Sequence, residues 1–236
     1  VQLAPGFDHA RYLRLGREPR LAKVPSMGYP SPPDLLVLHA VRILGMADSA
    51  AVARRFRLDP AVAEELLLDF EASGWIQRVR FADISGWALT DAGRAEGVRR
   101  LAAELDQTGA RPTVATAYAD FDQLNKSFLE VITNWQIRPT GDDSMARNDH
   151  SDQAWDERVL DALGGLDLSL RPVCAKLLNA LDRFDGYADR FSAALDRADL
   201  GDGSWVAGIG IDSCHAVWFQ LHEDLLATLN IERGQS

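Results

Sequence analysis

Between Pro60 and Leu105 the apolar residues keep a helical spacing, switch to strict alternation, and return to a helical spacing. A period of 3.6 turns one stripe of side chains inward, and a period of 2 turns one face of a ribbon inward. The segment is therefore restricted to helix, hairpin, helix. The residues at the changeovers agree. Asp59-Pro60 sets an N-cap acid before a proline at the first helical position. The helix predicted from there runs through Val62, Leu66, Leu67 and Phe70 to Gly74, at a natural C′ position. Trp75-Ile76-Gln77-Arg78-Val79-Arg80 alternates and is rich in strand formers. Asp83-Ile84-Ser85-Gly86 reads as the turn and Trp87-Ala88-Leu89 as a short returning strand. Thr90-Asp91 then caps a helix predicted over 92–105.

Upstream, Leu35, Leu38, Val41 and Leu44 recur three apart on a helix face that Gly45 ends. Ser49 is the expected cap of a second helix through Val52, Ala53 and Phe56. The first 33 residues contain six prolines, which predicts an arm or linker with one short helix near 8–15. From Pro112 onward the spacing is helical. Val114, Tyr118, Phe121, Leu124 and Phe128 mark a long helix ending near Trp135, and a polar stretch follows over 138–152. Further helices are predicted near 153–164, 168–183 and 187–198. After a loop at 201–204 comes a last helix over about 209–230, carrying Val217, Trp218, Leu221, Leu225 and Leu229.

The expected fold is mainly α. A basic arm (1–33) precedes a winged helix-turn-helix domain (34–110: three helices plus a β-hairpin wing). An α-helical bundle (111–236) follows, expected to dimerise and to offer a ligand-sensing site. The 47 % hydrophobic content suffices for a buried core, and no apolar run approaches the roughly 18 residues that span a bilayer. The start shows no basic region leading into an apolar one, so no signal peptide is read there. Together these predict a cytoplasmic protein without a membrane segment. Cys174 and Cys214, both within apolar helical patterns, are expected to be buried free thiols.

Two phrases carry a resemblance. Glu71-Ala72-Ser73-Gly74-Trp75-Ile76 and Trp87-Ala88-Leu89-Thr90-Asp91-Ala92-Gly93-Arg94 resemble the end of the recognition helix and the end of the wing in MarR- and PadR-type regulators, over about a third of the chain. That resemblance implies a third helix in the DNA major groove, a wing on the backbone or minor groove, and a dimer formed by the C-terminal helices. The stretch Asp212-Ser213-Cys214-His215-Ala216-Val217-Trp218-Phe219-Gln220-Leu221-His222-Glu223-Asp224-Leu225-Leu226 is similar to a C-terminal signature of actinobacterial proteins labelled winged-helix regulators. Similar domains are also associated with phosphoenolpyruvate-dependent phosphotransferases of the pyruvate phosphate dikinase type, although no phosphotransferase catalytic motif is present.

Charge complicates the DNA reading. The net charge is −10, and duplex binders normally carry a basic footprint. Only the arm has one, with Arg11, Arg14, Arg17, Arg20 and Lys23 against Asp8 and Glu18. The expected recognition helix holds Asp59, Glu64, Glu65, Asp69 and Glu71 and no Lys or Arg, a poor composition for reading base edges. The candidates for DNA contact are instead Arg54, Arg55, Arg57, Arg78 and Arg80, acting on phosphates. Two readings stay open: a dimeric transcriptional regulator that binds double-stranded DNA and answers to a small-molecule effector, or a non-enzymatic accessory subunit that uses its winged helix to dock an enzyme partner.

For a ligand site, Trp135, Arg138, Asn148, His150, His215, Trp218 and His222 supply aromatic walls and polar anchors. His150, His215 and His222 with Glu223 or Asp212 admit a metal site. The preferred reading makes His215 and His222 hydrogen-bonded residues at a bundle interior or dimer seam, with no metal and no cofactor. No catalytic role is expected: there is no G-x-S-x-G elbow, no P-loop and no dinucleotide glycine fingerprint.

Overall fold

The computed structural model describes residues 28–81 and 84–232. The predicted helix near 8–15 and the basic residues of the arm lie outside the described residues. Among those described are nine α-helices and one two-stranded antiparallel sheet. In chain order these are α1 (Pro33–Leu44), α2 (Ser49–Phe56), α3 (Pro60–Ala72), β1 (Ile76–Phe81), β2 (Ile84–Leu89), α4 (Asp91–Thr108), α5 (Arg111–Gln136), α6 (Gln153–Ala180), α7 (Tyr187–Asp199), α8 (Ser204–Ala207) and α9 (Cys214–Leu229), with a 3₁₀ turn at Asp182–Phe184 between α6 and α7. No helix among the described residues is long and apolar enough to cross a membrane.

Helix starts follow local chemistry. Asp59 Oδ1 accepts from the backbone N–H of Ala61 (2.8 Å) and Val62 (3.2 Å), satisfying two of the donors that a helix start leaves open. Thr90 Oγ1 accepts from Gly93 N at 3.1 Å and donates back to the Gly74 carbonyl at 2.7 Å. α2 is capped differently from the expectation. Asp48, not Ser49, accepts from Ala51 N at 2.6 Å. Ser49 lies one position inside the helix, where its hydroxyl accepts from the Trp87 indole N–H at 3.1 Å.

The hairpin is also longer than expected. Ser85 and Gly86, read as turn residues, belong to β2 and pair with Arg80 and Val79. The α1–α2 connection joins the same ribbon. Ala47 and Trp87 exchange both backbone hydrogen bonds, at 3.2 and 2.8 Å.

The chain divides into two compact units, each discontinuous in sequence. Among the described residues, one comprises 28–115, 177–184 and 220–232 and the other comprises 116–176 and 185–219. In the unit containing 28–115, Val37, Leu38 and Val41 of α1 meet Val52 of α2, Ala63, Leu67 and Phe70 of α3, Ile76 of β1 and Trp87 of β2 in one buried core. A smaller cluster joins Leu35, Leu101 and Ala227.

The other unit is helical. Its largest departure from expectation is α6, one 28-residue helix where two were read, with Gly164, Gly165 and Pro172 inside it. Such residues cost about 1 kcal/mol per glycine and about 3 kcal/mol for proline in a helix interior. The buried stripe Val159, Leu163, Leu166, Leu170 and Val173 continues straight through them. Burial of those side chains, at about 1.5–3 kcal/mol each, offsets the local penalty. The last helix starts at Cys214 rather than near 209, and Ile209 is fully exposed. Cys174 and Cys214 are both buried thiols, and burial pushes the Cys174 thiol up to about 12.

Candidate functional site

Three features can carry function: the outer face of α1–β2, a cavity in the helical unit, and a buried polar network.

On the first, Arg54 and Arg57 at the end of α2 and Arg80 on β1 are exposed. Arg57 occupies the left-handed C-cap of α2. Arg78 is exposed as well, its guanidinium 4.4 Å from the Trp87 ring centroid, and the half-buried Arg55 stands 4.4 Å from the Phe56 ring centroid. Arg78 also lies 3.5 Å from Glu71. The outward face of α3 carries Ala61, Val62, Glu65, Leu68, Asp69 and Ala72, all exposed. That face therefore has two large apolar residues and two carboxylates, and no cation.

The cavity has a volume of about 880 Å³, and all its lining residues belong to the helical unit. Trp135 comes from the end of α5, Asn148 and His150 from the polar loop, and Asp156 and Glu157 from the first turn of α6. Asn148 ties them together. Its buried amide donates to the Trp135 carbonyl (3.1 Å) and to Asp156 Oδ1 (2.9 Å), and its oxygen accepts from His150 N (3.1 Å). His150 Nδ1 is 3.0 Å from the other Asp156 oxygen, and its ring lies 4.5 Å from the Trp135 ring. These bonds hold His150 at φ +58°, a left-handed conformation uncommon for a residue with a Cβ.

Of the seven ligand-site candidates, the cavity brings together Trp135, Asn148 and His150. The other four do not line it. Arg138 is engaged by Asp152 (3.3 Å) and Asp149 (3.7 Å). Trp218 is core: its indole stacks on Phe128 at 4.2 Å and donates to Asn125 Oδ1 at 2.9 Å. His215 stacks on the same Phe128 at 6.3 Å, and burial lowers its pKa. His222 is partly buried on α9. Among the described residues no group of three or more His, Cys, Asp or Glu side chains is arranged to hold a metal ion.

The buried network was not anticipated. His39 on α1, Glu104 on α4, Arg183 in the 3₁₀ turn, and Asp224 and Thr228 on α9 are all buried. Asp224 Oδ1 meets His39 Nε2 at 2.9 Å and accepts from Arg183 Nη1. Arg183 also donates to Glu104 (2.9 Å) and Thr228 (2.8 Å). Burial opposes ionisation of Asp224, yet His39 and Arg183 hold its carboxyl well below the usual carboxylate range. Burial lowers the His39 pKa despite Asp224, so His39 is neutral near pH 7. A neutral ring that donates from Nε2 leaves Nδ1 as a bare acceptor, consistent with Nδ1 having no hydrogen-bond partner. Arg183 is then the cation that balances Asp224. The sequence signal for this network was a polar residue inside an apolar helical stripe, as at His39 between Leu38 and Val41.

No protein-family model, curated protein or solved structure matches the chain.

Proposed function

We propose that the chain is a transcriptional regulator of winged helix-turn-helix type, acting as a homodimer on double-stranded DNA and answering to a small ligand in its helical unit. The observation that carries this reading is the ribbon between α3 and α4, which also pairs at Trp87 with Ala47 in the α1–α2 connection. Three helices, a hairpin tied back to the first inter-helix connection, and a fourth helix support the winged-helix order implied by the resemblance of the Trp87–Arg94 phrase.

On this reading contact is mainly with phosphates. Arg54, Arg57 and Arg80 are exposed, whereas α3 presents carboxylates where a groove-reading helix needs donors. Sequence preference then comes from DNA shape and half-site spacing rather than from many base contacts. The test is fluorescence anisotropy of the full chain with duplexes from its own gene neighbourhood, at low and moderate salt. The expected result is a sequence-preferring complex that weakens steeply with salt. Equal affinity for all duplexes, or none at low salt, overturns the reading.

One observation favours a second reading. Val62 and Leu68, 42 % and 46 % exposed, stand on α3 beside Glu65 and Asp69. An apolar and acidic helix face suits a basic, apolar protein surface better than a polyanion. In that case the module docks a partner protein, and Leu68→Glu abolishes co-purification of that partner while leaving DNA binding absent in both proteins.

A further inference from the structure

We infer that the cavity at Trp135 binds a small organic ammonium ion, an aryl or alkyl amine. This deepens the effector role proposed above and rests on it.

The charge of the described lining disfavours the opposite class. Asp156, Glu157 and Asp199 face the cavity, against Arg147 and His150. If His150 is protonated, its charge is matched by Asp156 across 3.0 Å. Among the described lining residues the carboxylates outnumber the cations, which favours an ammonium ion over an organic acid. The remaining lining supplies the apolar part of the site. Leu160, Ala198 and Ala207 line it together with the Trp135 indole, and an indole is the preferred aromatic partner of an organic cation. About 880 Å³ falls in the range of sites that enclose metabolite-sized ligands.

The wall is built rather than incidental. A Cβ on Gly203 would stand 2.9 Å from Cζ2 of Trp135, so the backbone of this loop rests directly on the indole edge. The loop is stiffened by its own bonds. Ser204 Oγ donates to Asp202 Oδ1 at 2.6 Å, and the Trp205 indole donates to Asp202 Oδ2 at 3.0 Å. On the other side, Asn148 fixes the Trp135 backbone and His150 together. The indole is thus held between two braced loops before any ligand arrives, the condition under which little ordering cost remains to be met on binding.

The test is isothermal titration of the full chain with three probes of one shape: benzylamine, benzyl alcohol and benzoate. Saturable binding of benzylamine is expected, at least about tenfold tighter than either of the others, a difference of about 1.4 kcal/mol. Glu157→Gln, at an exposed position, is expected to weaken benzylamine about two- to fivefold, as an exposed ion pair does, and to leave benzyl alcohol unchanged. Gly203→Ala is expected to reduce benzylamine binding while circular dichroism remains that of the parent. Benzoate binding as tightly as benzylamine, or no saturable heat with benzylamine from folded protein, overturns the inference. Promoter binding measured on the same preparation without amine separates the two readings. DNA binding without amine binding removes only this inference, and amine binding without a DNA complex removes only the regulator reading.

Discussion

His39 Nε2 lies 2.9 Å from Asp224 Oδ1, joining side chains 185 positions apart that are 2 % and 0 % exposed. With Arg183 and Glu104 behind them, they place a charged cluster where an apolar core would be simpler. Ion clusters of this kind are seldom more stabilising than well-packed apolar residues, but they are costly to break because each loss strands a buried charge. Their value here is positional. Asp224 and Thr228 on α9, Glu104 on α4, His39 on α1 and the turn at Arg183 can satisfy one another in only one register.

Removing the centre of the cluster should therefore be severe. Asp224→Ala leaves Arg183 with one carboxylate partner and His39 with none, and is expected to cost about 3–5 kcal/mol in urea denaturation. Lys176→Ala, at the exposed pair with Asp120 (2.6 Å), is expected to cost no more than about 1 kcal/mol. Equal losses in the two variants would show that the buried cluster has no special weight.

Acid should destabilise the fold in a defined window. The folded pKa of His39 lies below the ordinary histidine value of about 6.5, because burial opposes its charge. The unfolded chain then binds the proton more readily, so stability rises with pH across the window. The contribution is complete above the unfolded value and is lost as pH falls below about 6.5. His215, also lowered by burial, acts with the same sign. Asp224 adds a further loss at more acid pH, since its folded pKa is depressed. The melting temperature is expected to drop between pH 7.5 and pH 5, and His39→Gln, which retains a donor for Asp224, is expected to flatten that drop. An unchanged slope in the variant would remove His39 as its source.

Two glycines on α4 should respond in opposite directions. A Cβ on Gly93 falls inside the van der Waals envelope of the Trp75 carbonyl, whereas one on Gly97 meets only Leu38 Cδ2 at 4.0 Å. Gly97→Ala is expected to stabilise by about 0.5–1 kcal/mol through helix propensity. Gly93→Ala must push the start of α4 away from the Trp75 backbone and is expected to destabilise by at least about 1–3 kcal/mol. Paired chemical denaturation curves test this, and stabilisation by both substitutions would contradict the close approach at Gly93.

If DNA is bound, the exposed arginines should account for its salt dependence. Arg54→Ala and Arg80→Ala are each expected to weaken binding to all duplexes alike and to reduce the slope of log K against log salt by about one. Arg78→Ala is expected to act more weakly, because Trp87 and Glu71 already engage that side chain. Anisotropy titrations across several salt concentrations measure all three.

The local elements of this protein were legible without a fold. Asp59-Pro60, Thr90 and the alternation from Trp75 to Arg80 act through groups within four residues of one another, so the sequence alone determines the start of α3, the start of α4 and the existence of the ribbon. Trp135, Asn148 and His150 were also legible as candidates, as an aromatic residue near the end of a helix and a polar loop after it.

What distant packing decides was not legible. Gly164, Gly165 and Pro172 are local breakers, and only the buried stripe on α6 keeps the helix continuous through them. Trp218 and His215 carry the same chemistry as cavity residues, and only their stacking on Phe128 assigns them to the interior. Asp224 reads as one more acid in an acidic chain. Its role depends on His39 and Arg183, 185 and 41 positions away, and a pairing across such distances is set by how the helices pack rather than by any neighbour in the sequence.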